Sequence, residues 1–227
     1  MLIHIKRQLD RQSEPYMQSF RYEGTREITV AALLTYLNLN DDLVDVDNTR
    51  CRPIEWECSC LQKVCGSCAM IISGTPALAC STFLTDLSGD EVTLEPLTVF
   101  PVVQDLRVDR SIIFQHLKDL DLWLTEPEVA SPREQKYQYN SAKCLKCGLC
   151  LEVCPNYNGA ETAFYGPAMV NEAYLTFAQS KDKSSKKNIH RKFVKHFTLD
   201  CSKSLACGSV CPLAMKPLSS MGLMNRH

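Results

Sequence analysis

The residues best equipped for chemistry are the cysteines. There are 13 of them in 227 residues. They fall in three groups: Cys51, Cys58, Cys60, Cys65, Cys68 and Cys80; then Cys144, Cys147, Cys150 and Cys154; then Cys201, Cys207 and Cys211. Disulfides, metal ligation and thiol redox chemistry compete for such a set. An odd number excludes full pairing within one chain. The opening run MLIHIKRQLD has no apolar core of the length a secretory signal needs. A cytosolic location is therefore expected, where thiols stay reduced and dense cysteine points to metal.

Spacing narrows the metal. In the first group, Cys60-x4-Cys65-x2-Cys68 is followed by Cys80 after eleven intervening residues. Plant-type ferredoxins hold a 2Fe–2S cluster with C-x4-C-x2-C and a distant fourth cysteine. Thiolates are soft ligands suited to iron–sulfur. Three sit close together on one loop, and the fourth closes the cage from a neighbouring strand. Gly66 and Ser67 leave room for backbone N–H groups to approach cluster sulfurs. The competing reading is a zinc ribbon, which usually pairs two C-x2–4-C knuckles; here the fourth cysteine stands alone. Cys51 and Cys58 do not fit the spacing. They read as small buried hydrophobes, against a role in alternative ligation or redox sensing.

The second group, Cys144-x2-Cys147-x2-Cys150-x3-Cys154-Pro155, is the bacterial ferredoxin run, whose fourth cysteine ligates the other cluster in two-cluster proteins. Pro155 sets the direction of the chain as it leaves. The third group, Cys201-x5-Cys207-x3-Cys211-Pro212, is the same run with Ser204 where a further cysteine would stand. Exchanging the fourth ligands assigns Cys144, Cys147, Cys150 and Cys211 to a 4Fe–4S cluster. Cys154, Cys201 and Cys207 are left with a 3Fe–4S cluster, because the fourth iron has no thiolate. A serine alkoxide is a poor iron ligand, and a weakly held fourth iron at Ser204 stays open.

These groups need elements to position them. Leu2, Ile3, Ile5 and Leu9 mark an edge-like strand, with Tyr16–Tyr22 as its hairpin partner. Thr29 is placed to cap a helix carrying Val30, Leu33, Leu34 and Leu37 on one face. Ala69–Ser73 and Pro76–Cys80 flank a Ser-Gly-Thr turn, and Val92–Leu97 reads as another short strand. Asp109 is expected to cap a helix that buries Ile112, Ile113, Phe114, Leu117, Leu120 and Leu124. Thr125–Tyr139 reads as a connector. Beyond Ser141 the pattern is helical, at Pro167–Gln179, roughly Ile189–Leu199 and Pro212–Leu223. The expected class is α+β: a β-grasp 2Fe–2S ferredoxin domain over 1–105, a helical connector over 106–140, and an all-α bacterial-ferredoxin-like domain over 141–227.

Composition excludes several other classes. With 25 Lys and Arg against 26 Asp and Glu, the net charge of −1 gives no bulk electrostatic case for nucleic acid or an anionic membrane as main partner. No apolar run approaches the roughly 18–20 residues of a spanning helix. Locally, residues 181–196 gather Lys181, Lys183, Lys186, Lys187, Arg191, Lys192 and Lys195. One reading is a docking site for an acidic partner or lipid head groups; the other is a solvated loop and polar helix face. There is no dinucleotide fingerprint, P-loop or H-E-x-x-H. His4, His116, His190, His196 and His227 form no metal spacing, and no catalytic residue is identified.

Taken in order, the three motifs resemble the iron–sulfur subunit of succinate dehydrogenase and fumarate reductase, over nearly the whole chain. Cys65-Gly66-Ser67-Cys68, the Gly74…Leu78-Ala79-Cys80 approach and Tyr165-Gly166-Pro167-Ala168 belong to the same likeness. The resemblance implies an electron-transfer subunit of a succinate:quinone or quinol:fumarate oxidoreductase, without turnover alone. It implies partners too: a flavoprotein subunit with FAD, and a membrane anchor with quinone that holds this chain on the cytoplasmic face of the inner membrane. It puts Pro155, Ser202 and Lys216 in the quinone vicinity. Succinate dehydrogenases often have tryptophan after the Cys-Pro and histidine after the first cysteine of the third group. Here Asn156-Tyr157-Asn158-Gly159 and Ser202 stand there, and Cys147-Gly148-Leu149-Cys150 lies slightly closer to fumarate reductases. Leu61-Gln62-Lys63-Val64 replaces the usual Arg-Glu-Gly inside the first loop. Two alternatives remain: a relay for another flavoprotein reductase, soluble or thiol-linked as in heterodisulfide reductases, and a structural zinc protein.

Overall fold

Alternating burial along the first strand sets up the N-terminal architecture. In the computed structural model, which describes residues 1–39, 42–126, 135–159, 163–198 and 200–226, β1 (Leu2–Arg7) turns Ile3, Ile5 and Arg7 inward. It pairs antiparallel with β2 (Tyr16–Arg21) and parallel with β5 (Glu91–Glu95). The hairpin of β3 (Ala69–Ile72) and β4 (Thr75–Leu78) joins the far side of β5. The order is β2-β1-β5-β3-β4, a mixed β-grasp sheet. The first strand is therefore interior and not an edge. Its second neighbour comes from residues 91–95, and nothing local in residues 2–9 announces it. Leu9 lies past the strand and is exposed.

Helix α1 (Val30–Asn38) starts where expected, with the Thr29 hydroxyl accepting from the Ala32 N–H at 3.2 Å. Val30, Leu33, Leu34 and Leu37 are buried in a core shared with Phe20, Met70, Ile72, Leu78, Val92 and Leu94. A small ribbon of β6 (Val102–Gln104) and β7 (Arg107–Val108) follows. At its turn Asp105, fully buried, pairs with Arg7 Nε at 3.1 Å and takes two bonds from Arg52, at 2.7 and 2.9 Å. It also accepts from the backbone N–H of Gln8 and of Glu55, each at 3.0 Å. A charge facing the core is costly unless paired, and Asp105 supplies the pair for Arg7.

The chain divides into two compact units, Met1–Asp109 and Arg110–His227. Among its described residues the second has only helices as regular elements: α2 (Ser111–Asp119), α3 (Gln135–Ala142), α4 (Leu149–Glu152), α5 (Pro167–Gln179), α6 (Lys183–Phe193), α7 (Ala206–Ser209) and α8 (Pro217–Met224). α5 is buried nearly all round, as a central helix must be, and α2, α3, α4, α6 and α8 pack on it.

Several helix expectations shift. Asp109 does not cap α2; Arg110 precedes the helix without a side-chain cap, and Asp109 pairs with Arg11. The helix buries Ile113 and His116, with Leu120 just past it, while Phe114 and Leu124 are exposed. α3 begins inside the stretch read as connector, part of which (127–134) lies outside the described residues. The helix expected from Ile189 begins at Lys183, because the Asp182 carboxylate accepts from the Ser184 and Ser185 N–H groups. Bonds to the same two serines hold that carboxyl well below the usual range. α6 runs on into a wide π-type turn over Val194–Thr198. The last helix starts at Pro217 and not Pro212, since Ala214 takes a left-handed backbone (φ 52°) that breaks any earlier turn.

Candidate metal centres

The first cysteine loop contains no helix or strand between Cys60 and Cys68. It curls because Leu61 (φ 54°), Lys63 (φ 61°) and Gly66 (φ 79°) take left-handed backbone. Only the glycine is legible in sequence; for the other two the conformation costs about 1–2 kcal/mol each. The Gln62 N–H donates to Cys60 Sγ at 3.3 Å. Burial pushes the Cys65 thiol up, but hydrogen bonds from Ser67 and Cys60 outweigh it and bring it down to about 6. Such a thiol is largely thiolate at neutral pH, the form that ligates metal. Cys68 is pushed up to about 12, first by burial and then by Cys80. The β3–β4 register brings these two together: Ala79 N–H donates to the Cys68 carbonyl at 3.0 Å. Cys60, Cys65, Cys68 and Cys80 thus sit at one end of the hairpin.

Cys51 and Cys58 do not behave as buried hydrophobes. Cys58 is exposed and Cys51 half-buried. Cys51 Sγ accepts from Gln18 at 2.9 Å and donates to the Thr49 carbonyl at 3.0 Å. Both lie on the irregular approach to the cysteine loop, and the Gln18 bond ties Cys51 to β2.

In the second unit, a pocket between α4, α5 and the residues before α8 is lined by Cys144, Cys147, Cys150, Cys207 and Cys211, with Leu149, Ala168 and Pro212 between them. Lys146 (φ 53°) and Gly148 (φ 89°) turn the loop there. The Arg110 guanidinium donates to the Cys147 carbonyl at 3.2 Å, and Lys146 pairs with Glu172 at 2.8 Å. Cys150 is pushed far up by burial and then by Cys144, Cys147, Cys207 and Cys211. Cys144 rises to about 11, mainly through burial. Buried thiols this close cannot all ionise unless positive charge sits among them.

A second pocket is lined by Cys154, Cys201 and Cys207, with Ser202, Ser204 and Leu205. Lys203 (φ 58°) and Leu205 (φ 65°) supply its left-handed turns. Burial raises Cys207 first, then the charges of Cys154 and Cys201; Cys154 rises by burial and then by Cys201. Cys207 borders both pockets. The donor set is sulfur throughout, and the surroundings are largely apolar. Among the described residues, no three His, Cys, Asp or Glu side chains converge closely enough to hold a single metal ion; the thiols of the second unit instead rim two pockets in sets. That arrangement fits iron–sulfur clusters, which bind thiolates around a core of several atoms.

A row of aromatic rings, whose mutual packing no sequence spacing announces, reaches the second cysteine group through Tyr157, which feels Cys150. Tyr165 is sandwiched between His116 and His196, with ring centres 4.0 and 4.1 Å away. Tyr157 meets His116 edge-on. Its hydroxyl is pushed up to about 12 by burial and then by Cys150. The signal in sequence was Tyr165-Gly166-Pro167 itself. Gly166 has φ 82°, and a Cβ there would stand 2.2 Å from Leu151 Cδ2. Leu151 is 1% exposed and has nowhere to retreat. Gly166→Ala is therefore expected to destabilise the chain by about 1–3 kcal/mol and to reduce iron retention by the Cys144–Cys154 loop. Urea unfolding and iron content check this; unchanged values for both would contradict it.

Of the three residues placed near quinone, Ser202 lines the Cys154–Cys201–Cys207 pocket. Lys216 lines a separate cleft of about 330 Å³, of mixed polar and apolar lining, with Lys143, Asn140 and Leu213. Pro155 lines neither.

Comparison with known proteins follows these divisions. Residues 2–115 match the profile of a 2Fe-2S iron-sulfur cluster binding domain, and residues 140–215 that of a 4Fe-4S dicluster domain. The chain is 32% identical to the succinate dehydrogenase iron-sulfur subunit of Bacillus subtilis strain 168, covering 98% of this chain and 90% of that protein. It is 29% identical to the fumarate reductase iron-sulfur subunit of Mycobacterium tuberculosis strain CDC 1551, covering 92% and 85%. In fold it is similar to a chain of the Mycobacterium smegmatis Sdh1 complex in the apo form, with a TM-score of 0.75 over 99% of this chain and 93% of that one, at 20% identity.

Proposed function

This chain belongs to the family of iron–sulfur subunits of succinate dehydrogenase and fumarate reductase, the electron-transfer subunits of those oxidoreductases, and we propose that it holds three clusters between an FAD-bearing flavoprotein and a membrane quinone. When bound, the clusters supply one-electron carriers that a protein side chain cannot. Cys60, Cys65, Cys68 and Cys80 would hold 2Fe–2S. Cys144, Cys147, Cys150 and Cys211 would hold 4Fe–4S, and Cys154, Cys201 and Cys207 would hold 3Fe–4S. Residues 1–105 and 141–227 carry these sites, and 106–140 joins them.

One observation carries the assignment. Cys211 lines the pocket of Cys144, Cys147 and Cys150, while Cys154 feels Cys201 and is felt by Cys207. These neighbours support a reading in which each run sends its last thiol to the other, with Cys207 bordering both pockets. Ser204 lines the second pocket where a further thiol would complete a cube. Ser202 lies in that pocket and supports placing the quinone near it; Pro155 and Lys216 rest on the family resemblance. The same resemblance supports an anchor subunit that holds the chain at the cytoplasmic face of the inner membrane. Among the described residues, no helix is long and apolar enough to cross a membrane.

The test is Ser204→Cys in the assembled complex. A fourth thiolate is expected to convert the three-iron cluster to a cubane, abolish the paramagnetic signal of the oxidised protein, and slow succinate-linked quinone reduction. An unchanged oxidised signal in fully loaded variant protein would mean that residue 204 does not face that cluster.

A further inference from the structure

The basic run has no part in the relay, yet it forms a helix with one row turned outward. From Lys183 to Lys195 the chain carries six of its 25 Lys and Arg, and from 183 to 198 none of its 26 Asp and Glu. Nineteen basic residues are left elsewhere against 26 acidic ones, so a nearly neutral chain concentrates positive charge on one element. Ile189 and Phe193 are buried and fix the inner side of α6. Lys183, Lys187 and Arg191 recur at every fourth position, share one row and are exposed, as is Lys195 in the next turn.

The neighbouring row fastens a second feature. Asn188 Nδ2, at 3.0 Å, and Lys192 Nζ both donate to Asp121 Oδ2. Lys192 also donates to the Asp119 carbonyl at 2.7 Å. Asp121 is thereby held in left-handed backbone (φ 54°), and its carbonyl accepts from the Trp123 N–H at 3.0 Å. This tied turn presents Trp123 and Leu124, 54% and 40% exposed, next to the helix; Val194, 43% exposed, follows at its end.

We infer that this face makes a direct contact with an anionic lipid surface, through the chain's own residues and in addition to any anchor subunit. Two features favour lipid over an acidic protein. Five of the six cations are lysines, which are depleted in protein–protein interfaces, where arginine is enriched, and which act as mobile point charges toward headgroup phosphates. An exposed tryptophan beside lysines is the pattern of the membrane–water boundary, where the ring sits at headgroup depth and the ammonium groups reach the phosphates. Three of the nearby acids are engaged, Asp121 with Lys192, Asp119 with Tyr165, and Asp182 at the helix cap, while Glu126 beyond Leu124 is exposed. The inference goes beyond the relay and does not depend on it, since lipid contact needs no turnover.

The test uses the full chain with its clusters loaded, sedimented with vesicles of phosphatidylcholine alone or doped with phosphatidylglycerol. Binding is expected only to the doped vesicles and to weaken as salt rises. Each neutralised cation is worth about fivefold, so the Lys183→Gln, Lys187→Gln, Arg191→Gln triple variant is expected to bind roughly a hundredfold more weakly with an unchanged visible spectrum. Trp123→Ala is expected to weaken binding while keeping its dependence on anionic lipid. Equal binding to both vesicle types, or wild-type binding by the triple variant, overturns the inference. Absent binding to the doped vesicles overturns it as well, and loss of the flavoprotein subunit in the triple variant would then make the face a protein contact. Iron content and spectra of the same samples report separately on the relay.

Discussion

Replacing Cys211 with serine is expected to remove the 4Fe–4S signal while the three-iron signal persists. Replacing Cys154 is expected to do the reverse. In sequence each cysteine belongs to the opposite run, so a reading by proximity along the chain gives the opposite result. The structure puts Cys211 around one pocket with Cys144, Cys147 and Cys150, and it couples Cys154 to Cys201 and Cys207. Losing a thiolate ligand is more severe than losing an outer-shell partner, which alone lowers activity or metal affinity about 10–100-fold. Succinate-linked quinone reduction is accordingly expected to fall by more than about 100-fold in either variant. The 2Fe–2S signal should survive in both, because its ligands lie in the other compact unit, and that distinguishes ligand loss from global unfolding. If Cys211→Ser removed the three-iron signal instead, each run would hold its own cluster and the crossed assignment would be wrong.

Asp105→Asn is expected to destabilise the N-terminal unit by about 3–5 kcal/mol, the usual result of breaking a buried ion pair from one side. Asp105 and Arg7 are both 0% exposed, so the variant leaves the guanidinium of Arg7 buried with neutral oxygens of Gln18, Arg52 and Pro53 in place of a carboxylate. Arg52 loses its two-pronged partner as well. Asparagine tolerates the left-handed backbone at 105 (φ 46°), so charge and not backbone strain dominates. The Glu55 N–H contact ties this network to the chain entering the first cysteine loop, and retention of the 2Fe–2S cluster should fall in parallel. Asp90, 91% exposed and paired with Arg26, is the contrast: Asp90→Asn is expected to change stability by under about 1 kcal/mol. Urea unfolding of the three proteins reads both. An Asp105→Asn effect as small as that of Asp90→Asn would show that the buried network adds little.

Different physics made different parts of the molecule legible in sequence. Ligation is local, so a loop that must aim three thiols at one centre fixes their spacing, and the three groups can be read directly. Thr29 and Leu33–Leu34–Leu37 gave α1, because capping and helical periodicity act within one turn or two. The interior place of β1 was not legible, since its parallel partner arrives only at Glu91. Arg7 stood in phase with Ile3 and Ile5, but an arginine argues against burial until Asp105 is known. The left-handed backbone of Leu61, Lys63, Lys146, Lys203 and Leu205 has no side-chain signature; the cysteine loops impose it. The exposure of Cys58 was missed because its surroundings, and not its type, set its burial. The His116–Tyr165–His196 stack joins residues from three separate segments that no spacing rule connects.

Low-temperature electron paramagnetic resonance of the intact, anaerobically purified protein tests the three-cluster relay most directly, recorded as isolated and after dithionite. Three ferric ions in one cluster leave an unpaired spin in the oxidised state, whereas 2Fe–2S and 4Fe–4S clusters become paramagnetic on reduction. The expected result is one signal close to the free-electron g value before dithionite and two further signals after it. An oxidised protein with a full iron complement and no such signal would contradict the account: a fourth iron would then sit beside Ser204, and the relay would end in a different cluster.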